Sequence, residues 1–271
     1  MDLFFREEGS SGKEIVIIHG LYGSSDNWFS IGKKLGANFH VFLIDQRNHG
    51  RSGNTDIHTY DSMEKDLFDF FEKRQIQKAV VIGHSMGGKV AMLFAANHPE
   101  KIEKLIIVDI APVNYLKSPE KGQYNQHLKI LQSLIEFQEK SQSFKNRTEI
   151  AGFLQGKLGN ETLVQFLLKS TYRDKKTRLF RCRINTQIIK QSLDEIIGGV
   201  NEETMLPLSP VSGYPVLFIK GDLSEYITNK YIPLIQKIYP EYIIKTITGA
   251  GHWLHAEQPN LFIKIVKEFI G

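Results

Sequence analysis

The 271-residue chain has a single cysteine, Cys182. One thiol excludes an internal disulfide and fits a reducing compartment, and this one sits in no motif that would make it a nucleophile. Long apolar runs are also missing: nothing nears the ~18 residues of a membrane span. The opening MDLFFREEGSSGKE places acids where a secretory leader needs an apolar stretch. Together these point to a cytoplasmic protein that does not enter a membrane. The nine histidines include no HExxH and have no CxxC partners, and HWLH (His252 to His255) alone is a poor metal box. No metal and no cofactor are expected. Basic residues are not interleaved with aromatics, so nucleic acid is not an expected partner. Repeats and low-complexity tracts are absent too.

What is there is an ordinary globular composition, 41% hydrophobic and 24% charged, in a chain long enough for one large domain with an insert. Short β-branched runs occur at EIVIIH (14 to 19), VFLID (41 to 45), AVVIG (79 to 83), KLIIVD (104 to 109), VLFIK (216 to 220) and YIIKTI (242 to 247). Segments of helical period lie between them, at about 24 to 37, 61 to 73, 86 to 97, 227 to 238 and 257 to 269. Continuous apolar strands alternating with helices predict an α/β fold whose mostly parallel central sheet is covered on both faces. One interval breaks the rhythm, with helical periodicity (HLKILQSLIEF, LVQFLLKS) and no clear strand. Residues 114 to 206 therefore read as an inserted helical lid on a core made of 1 to 113 and 207 to 271, bounded by proline-containing stretches at Pro112 and Pro207 to Pro210.

The main chemical signal is AVVIGHSMGGKVAMLFAANHP. GHSMG has the form GxSxG, which composition alone produces often. Its setting adds weight: an apolar strand runs straight into Gly83 and a helix begins just after Ser85, the strand-turn-helix of a nucleophile elbow. The bland alternative is a serine that merely caps the helix. A nucleophilic serine also needs an anion site and a base. In IIHGLYGSSDNW a strand ends at His19, and the glycine-rich turn can aim the Leu21 N–H at a developing oxyanion. The Met86 N–H, at the start of the helix, is the natural second donor. For the base, TITGAGHWLHAEQP supplies His252 in a glycine-rich loop after the last strand. His255 reads as a surface or capping residue, and His84 as a packed or hydrogen-bonded neighbour of Ser85.

Taken together, GHSMG, HGLYGS, DQRNHGRS (45 to 52) and the late GAGHW loop resemble an α/β hydrolase over essentially the whole chain. DQRNHGRS and VDIAP (108 to 112) are similar to the branch of small esterases and thioesterases that carries DxRNHG and VDIxP. FRCRIN (180 to 185) resembles that branch's WRxN element, with Cys182 where Trp is usual. Asp45, Arg47 and His49 read as a tied structural loop beneath the site.

The acid of the site has three candidates. In the general family it commonly sits in a GxxD pattern past the strand formed here by VLFIK, and in GDLS that place is held by Ser224, flanked by Asp222 and Glu225. Asp109 instead lies in LIIVDIAPV, where a lone carboxylate needs a partner. The VDIxP branch carries its acid at that position, and Asp109 is the preferred assignment.

Residues 113 to 207 hold 15 Lys and Arg against 10 Asp and Glu, and KSTYRDKKTRLFRCR (169 to 183) alone holds seven bases and one acid. That run is expected to be either a solvated helix face or an attractor of anionic substrates such as acyl-CoA. The sequence thus predicts a serine hydrolase cleaving carboxylic esters or acyl thioesters through an acyl-enzyme, acting on a small molecule as a monomer or homodimer. Ser85 would be the nucleophile, His252 the base, Asp109 the acid, and Leu21 and Met86 the oxyanion donors. A lyase or carbon-carbon hydrolase on the same residues, or a ligand-binding protein without catalysis, are the other readings of this scaffold.

Overall fold

The computed structural model describes residues 1–117 and 122–271. The first half runs β1 (Phe5–Glu8), β2 (Glu14–Ile18), α1 (Ser25–Leu35), β3 (His40–Ile44), α2 (Tyr60–Arg74), β4 (Ala79–His84), α3 (Met86–Asn97), β5 (Ile102–Val108). A helical insert follows: α4 (Gly122–Glu139), α5 (Arg147–Leu158), α6 (Glu161–Leu168), the strands β6 (Thr171–Arg173) and β7 (Phe180–Cys182), then α7 (Thr186–Gln191), α8 (Leu193–Gly198) and α9 (Glu202–Met205). The chain closes with β8 (Val216–Gly221), α10 (Ile232–Ile238), β9 (Tyr242–Ile247), α11 (Leu254–Glu257) and α12 (Pro259–Ile270).

Seven strands form one sheet in the order β1-β3-β2-β4-β5-β8-β9. All neighbours are parallel except β1, which pairs antiparallel with β3 at the edge. The central strands are apolar throughout because both faces are covered. In β2, Ile15 and Ile17 face Trp28, Ile31 and Leu35 of α1 and Phe262 and Val266 of α12. Val16 and Ile18 face the other side, with Met63 and Leu67 of α2 and Val90 and Phe94 of α3. Each such fully buried side chain contributes about 1.5–3 kcal/mol relative to an exposed one. The second cluster continues without a break into the insert, through Ile130, Leu134 and Phe137 of α4. Four helices of the insert open on asparagine: Asn146, Asn160, Asn185 and Asn201 each accept a backbone N–H of the first turn, satisfying donors the helix leaves free.

Several boundaries differ from the sequence reading. The helix expected over 227–238 begins only at Ile232, with Pro233 in its first turn, where the missing N–H costs nothing. The last helix likewise begins at Pro259, and the residues before it form the separate short α11. The basic run is not a helix face. It forms the antiparallel hairpin β6–β7, whose turn is organised by Asp174 accepting from the Thr177 and Lys176 amides. No helix among the described residues is long and apolar enough to cross a membrane.

Candidate active site

The parallel sheet brings the chemical candidates to one edge. Neighbouring strands lie ~4.8 Å apart, so register decides which side chains can meet. Gly83 of β4 pairs with Ile18 of β2 on one side and Ile107 of β5 on the other. The chain therefore leaves β2 at the glycine-rich turn, β4 at Ser85 and β5 at Asp109, all at one level. β8 follows beside β5 and β9 beside β8, which brings Gly221–Ser224 and the His252 loop to the same edge.

Ser85 has φ 53° and ψ −121°, a conformation that costs a side-chain-bearing residue about 1–3 kcal/mol and persists only when its surroundings enforce it. Its N–H donates to Val108 O at 3.0 Å, and the Gly88 and Lys89 amides donate to its carbonyl. The close packing requires glycine on both sides of the turn: a Cβ on Gly87 would lie 2.4 Å from the Ile18 carbonyl, and one on Gly20 would lie 3.0 Å from the Ser85 Cβ. The Ser85 side chain makes no capping bond to α3. Its Oγ instead lies 2.9 Å from His252 Nε2.

His252 Nδ1 is 2.8 Å from Asp109 Oδ2. A carboxylate accepts, so Nδ1 carries the proton and the Nε2 lone pair is left to receive the Ser85 hydroxyl. The imidazole is held on two further sides. The Tyr226 ring stacks on it at 3.9 Å and 18°, and the buried His84 donates from Nε2 to the His252 carbonyl at 2.8 Å.

Asp109 is fully buried. Its Oδ1 accepts the Gly221 N–H at 3.2 Å, and Oδ2 accepts the Ser224 hydroxyl. Burial pushes its carboxyl up, while the Ser224 and Gly221 donors pull it back toward the anion. Burial also pushes the His252 imidazolium down, so the free base is the resting form.

Leu21 and Met86 line the same small cavity as Ser85, about 20 Å³. Neither backbone N–H has a backbone acceptor among the described residues. Tyr60, Lys89, Ile110 and Ile197 complete much of its wall. A wider cleft that His252 also lines, about 290 Å³, opens between Ser224, Tyr226, Trp253, Gln123 and Asn160.

The remaining candidates lie apart. Asp222 and Glu225 are exposed; Asp222 accepts the Ala250 N–H at 3.2 Å, and neither bonds to His252 among the described residues. His255, read as a surface or capping residue, is buried instead. Its ring lies flat on Trp28 at 4.1 Å and 3°, because α11 turns it toward the face covered by α1 and α12. Burial pushes the Cys182 thiol up to about 12, the opposite of what a reactive thiolate needs. Ser224 and Tyr226 were not marked as site residues by their sequence neighbourhood. The only sign is that Ser224 occupies the position where the general GxxD pattern has its acid, and here its hydroxyl donates to Asp109, the residue after β5.

Comparison with known proteins identifies the family. A family model described as alpha/beta hydrolase fold matches residues 13–259, and the chain belongs to that family. It is 32% identical to Esterase YbfF of Escherichia coli (strain K12) over 257 residues, covering 95% of this chain and 92% of that one. It is 33% identical to the sn-1-specific diacylglycerol lipase ABHD11 of Xenopus laevis over 261 residues, covering 96% of this chain and 80% of the relative. Among solved structures, a marine microorganism esterase superposes with a TM-score of 0.90 at 44% identity, covering 99% of both chains.

Proposed function

We propose that the protein is a serine hydrolase that cleaves carboxylic esters or acyl thioesters of small molecules through an acyl-enzyme. The observation that carries this reading is the unbroken line of hydrogen bonds from Ser85 Oγ to His252 Nε2 at 2.9 Å and from His252 Nδ1 to Asp109 Oδ2 at 2.8 Å. The names of its esterase and lipase relatives support the ester as substrate class.

In this mechanism Ser85 Oγ attacks the carbonyl carbon while its proton passes to His252 Nε2. The carbonyl oxygen becomes an anion held by the Leu21 and Met86 amides, and the imidazolium is stabilised by Asp109. Collapse breaks the bond to the leaving oxygen or sulfur, which takes the proton from His252. Water then attacks the acyl-enzyme with His252 as base, releasing the acid and restoring the Ser85 hydroxyl. Residues 114–206 act as a lid: Ile196 and Ile197 of α8 roof the cavity beside Ser85.

That cavity is the acyl pocket, and its open space of about 20 Å³ is far below the ~300–1,000 Å³ of ligand sites, which favours short acyl groups. The wider cleft that His252 also lines takes the leaving group. A panel of p-nitrophenyl esters and acyl-CoAs of graded chain length tests the reading. Hydrolysis should be greatest for short acyl chains and should be lost with Ser85→Ala. Retained hydrolysis in Ser85→Ala contradicts the mechanism, and a maximum at long chains contradicts the pocket assignment.

A further inference from the structure

Two motifs play no part in the chemistry above, DQRNHG (45 to 50) and FRCRIN (180 to 185). The structure puts them together and sets the first against the oxyanion turn. Tyr22 follows Leu21 in that turn and has φ 65°, a left-handed conformation that a tyrosine adopts only under external constraint. Its N–H donates to His49 Nε2 at 3.3 Å, and its carbonyl accepts the Ser170 hydroxyl at 2.8 Å. The His49 tautomer is set by its other nitrogen, which donates from Nδ1 to the Arg47 carbonyl at 3.0 Å. His19 repeats the pattern one step back: Nδ1 donates to the Gly20 carbonyl at 2.8 Å and Nε2 accepts the Gln46 N–H at 2.9 Å. Gln46 returns a bond from its side-chain amide to the His19 carbonyl at 2.7 Å.

The same loop is the seat of the insert. Asn185 donates its backbone N–H to the Asn48 carbonyl at 2.9 Å and its side-chain amide to Asn48 Oδ1 at 3.1 Å. Beside it, Ile184 pairs with His49 in an isolated bridge. His19, Asn48 and His49 are all fully or almost fully buried, so these bonds do not compete with water. Burial pushes both imidazoles down, His49 to about 3 and His19 to about 4, which keeps Nε2 of each free to accept.

From this geometry we infer that His49 is a positioning residue for the oxyanion site: it fixes the Tyr22 amide, and through it the aim of the Leu21 N–H, while Asn48 and Asn185 join that support to the lid. The inference rests on Ser85 being the nucleophile and Leu21 the donor. Its consequence is that the seating of the lid and the stabilisation of the oxyanion are one structural unit. A lid displaced at Asn185 also slackens the turn that must hold the developing charge.

His49→Phe and His49→Gln separate this role from general packing, since the glutamine amide oxygen can reach the place of Nε2. Direct loss of one oxyanion donor costs about 10²–10³ in kcat. His49→Phe, which loosens a donor without deleting it, should lose about 10- to 100-fold in kcat with KM within about threefold. Affinity for a trifluoromethyl ketone analogue of the tetrahedral intermediate should fall in parallel, and His49→Gln should recover most of both. Asn185→Asp keeps the helix cap and the backbone bond but removes the side-chain donor to Asn48 Oδ1; it should show the same parallel loss at smaller size and covers the case in which His49→Phe does not fold. Fluorophosphonate labelling of Ser85 in each variant distinguishes the two layers. If Ser85 is not labelled even in the parent protein, the mechanism itself is wrong. If Ser85 is labelled but folded His49→Phe and Asn185→Asp bind the ketone as tightly as the parent, the mechanism stands and the positioning role is refuted.

Discussion

At the scale of single residues the question is how a buried carboxylate is made useful. Asp109 has three donors, from Gly221, Ser224 and His252, and burial leaves water no part in the balance. Replacing it by asparagine keeps the shape but lets the side-chain amide impose the wrong tautomer on His252. Asp109→Asn should therefore lower kcat by about 10³ to 10⁴ with little change in KM. Asp222→Asn and Glu225→Gln, both exposed and away from the imidazole, should stay within about tenfold of the parent. Steady-state kinetics of the three variants decides the matter: an active Asp109→Asn beside an inactive Asp222→Asn or Glu225→Gln would move the acid into the GDLSEY loop. That Ser85, His252 and Asp109 meet could be anticipated from sequence, because Ser85 and Asp109 each follow an apolar strand and His252 lies in a glycine-rich loop after the last strand. Ser224, Tyr226 and the Asn48–Asn185 pair could not. Their roles come from partners more than a hundred residues away or across the sheet edge, and apart from the place of Ser224 in the GxxD pattern their own neighbourhoods do not record that.

At the scale of elements, α8 is the part of the insert that presents Ile196 and Ile197 to the cavity beside Ser85. If it limits the acyl chain, Ile197→Ala should raise the ratio of kcat/KM for hexanoate over acetate esters by about tenfold, within the range that a change of one or two methylenes gives in an apolar pocket. An unchanged ratio would place the chain-length limit elsewhere. The central strands β2, β3, β4, β5 and β8 were legible to within about two residues because both faces are buried and their apolar runs are continuous. The edge strand β1, reading FREE, escaped notice: it is four residues long, charged and only partly buried. The hairpin β6–β7 was hidden by its lysines and arginines, which mask the β-forming pairs Tyr172–Arg181 and Arg173–Phe180. The helix starts at Ile232, with Pro233 in its first turn, and at Pro259 are fixed by proline chemistry, which acts over one turn and outweighs a broader periodic signal.

At the scale of the whole molecule, the distribution of histidine has a thermodynamic consequence. His19, His49, His58, His84, His127 and His255 are buried as neutral rings, and burial lowers the first five to values of about 2 to 4 and His255 well below its ordinary value. A folded-state value below the unfolded 6.5 means the unfolded chain binds protons that the folded chain refuses. The stabilisation is complete above pH 6.5 and is lost as pH falls toward the folded values. Each such histidine removes about 1.4 kcal/mol per pH unit once pH is well below 6.5. Thermal unfolding at constant ionic strength should thus show a steep drop in Tm between pH 7 and pH 5, and a flat Tm over that interval would contradict the buried neutral state of these rings.

The central claim is that the fold activates one serine. An alkyl fluorophosphonate reports this directly, because phosphorus is attacked by the same Oγ, with the same base, as a carbonyl carbon. Incubation of the intact protein, followed by digestion and mass spectrometry, should find one stoichiometric adduct on Ser85, formed at the rate at which ester hydrolysis disappears. It should be absent in Ser85→Ala and slowed by orders of magnitude in His252→Ala. An adduct on another residue, or ester hydrolysis that survives complete labelling of Ser85, would contradict the account.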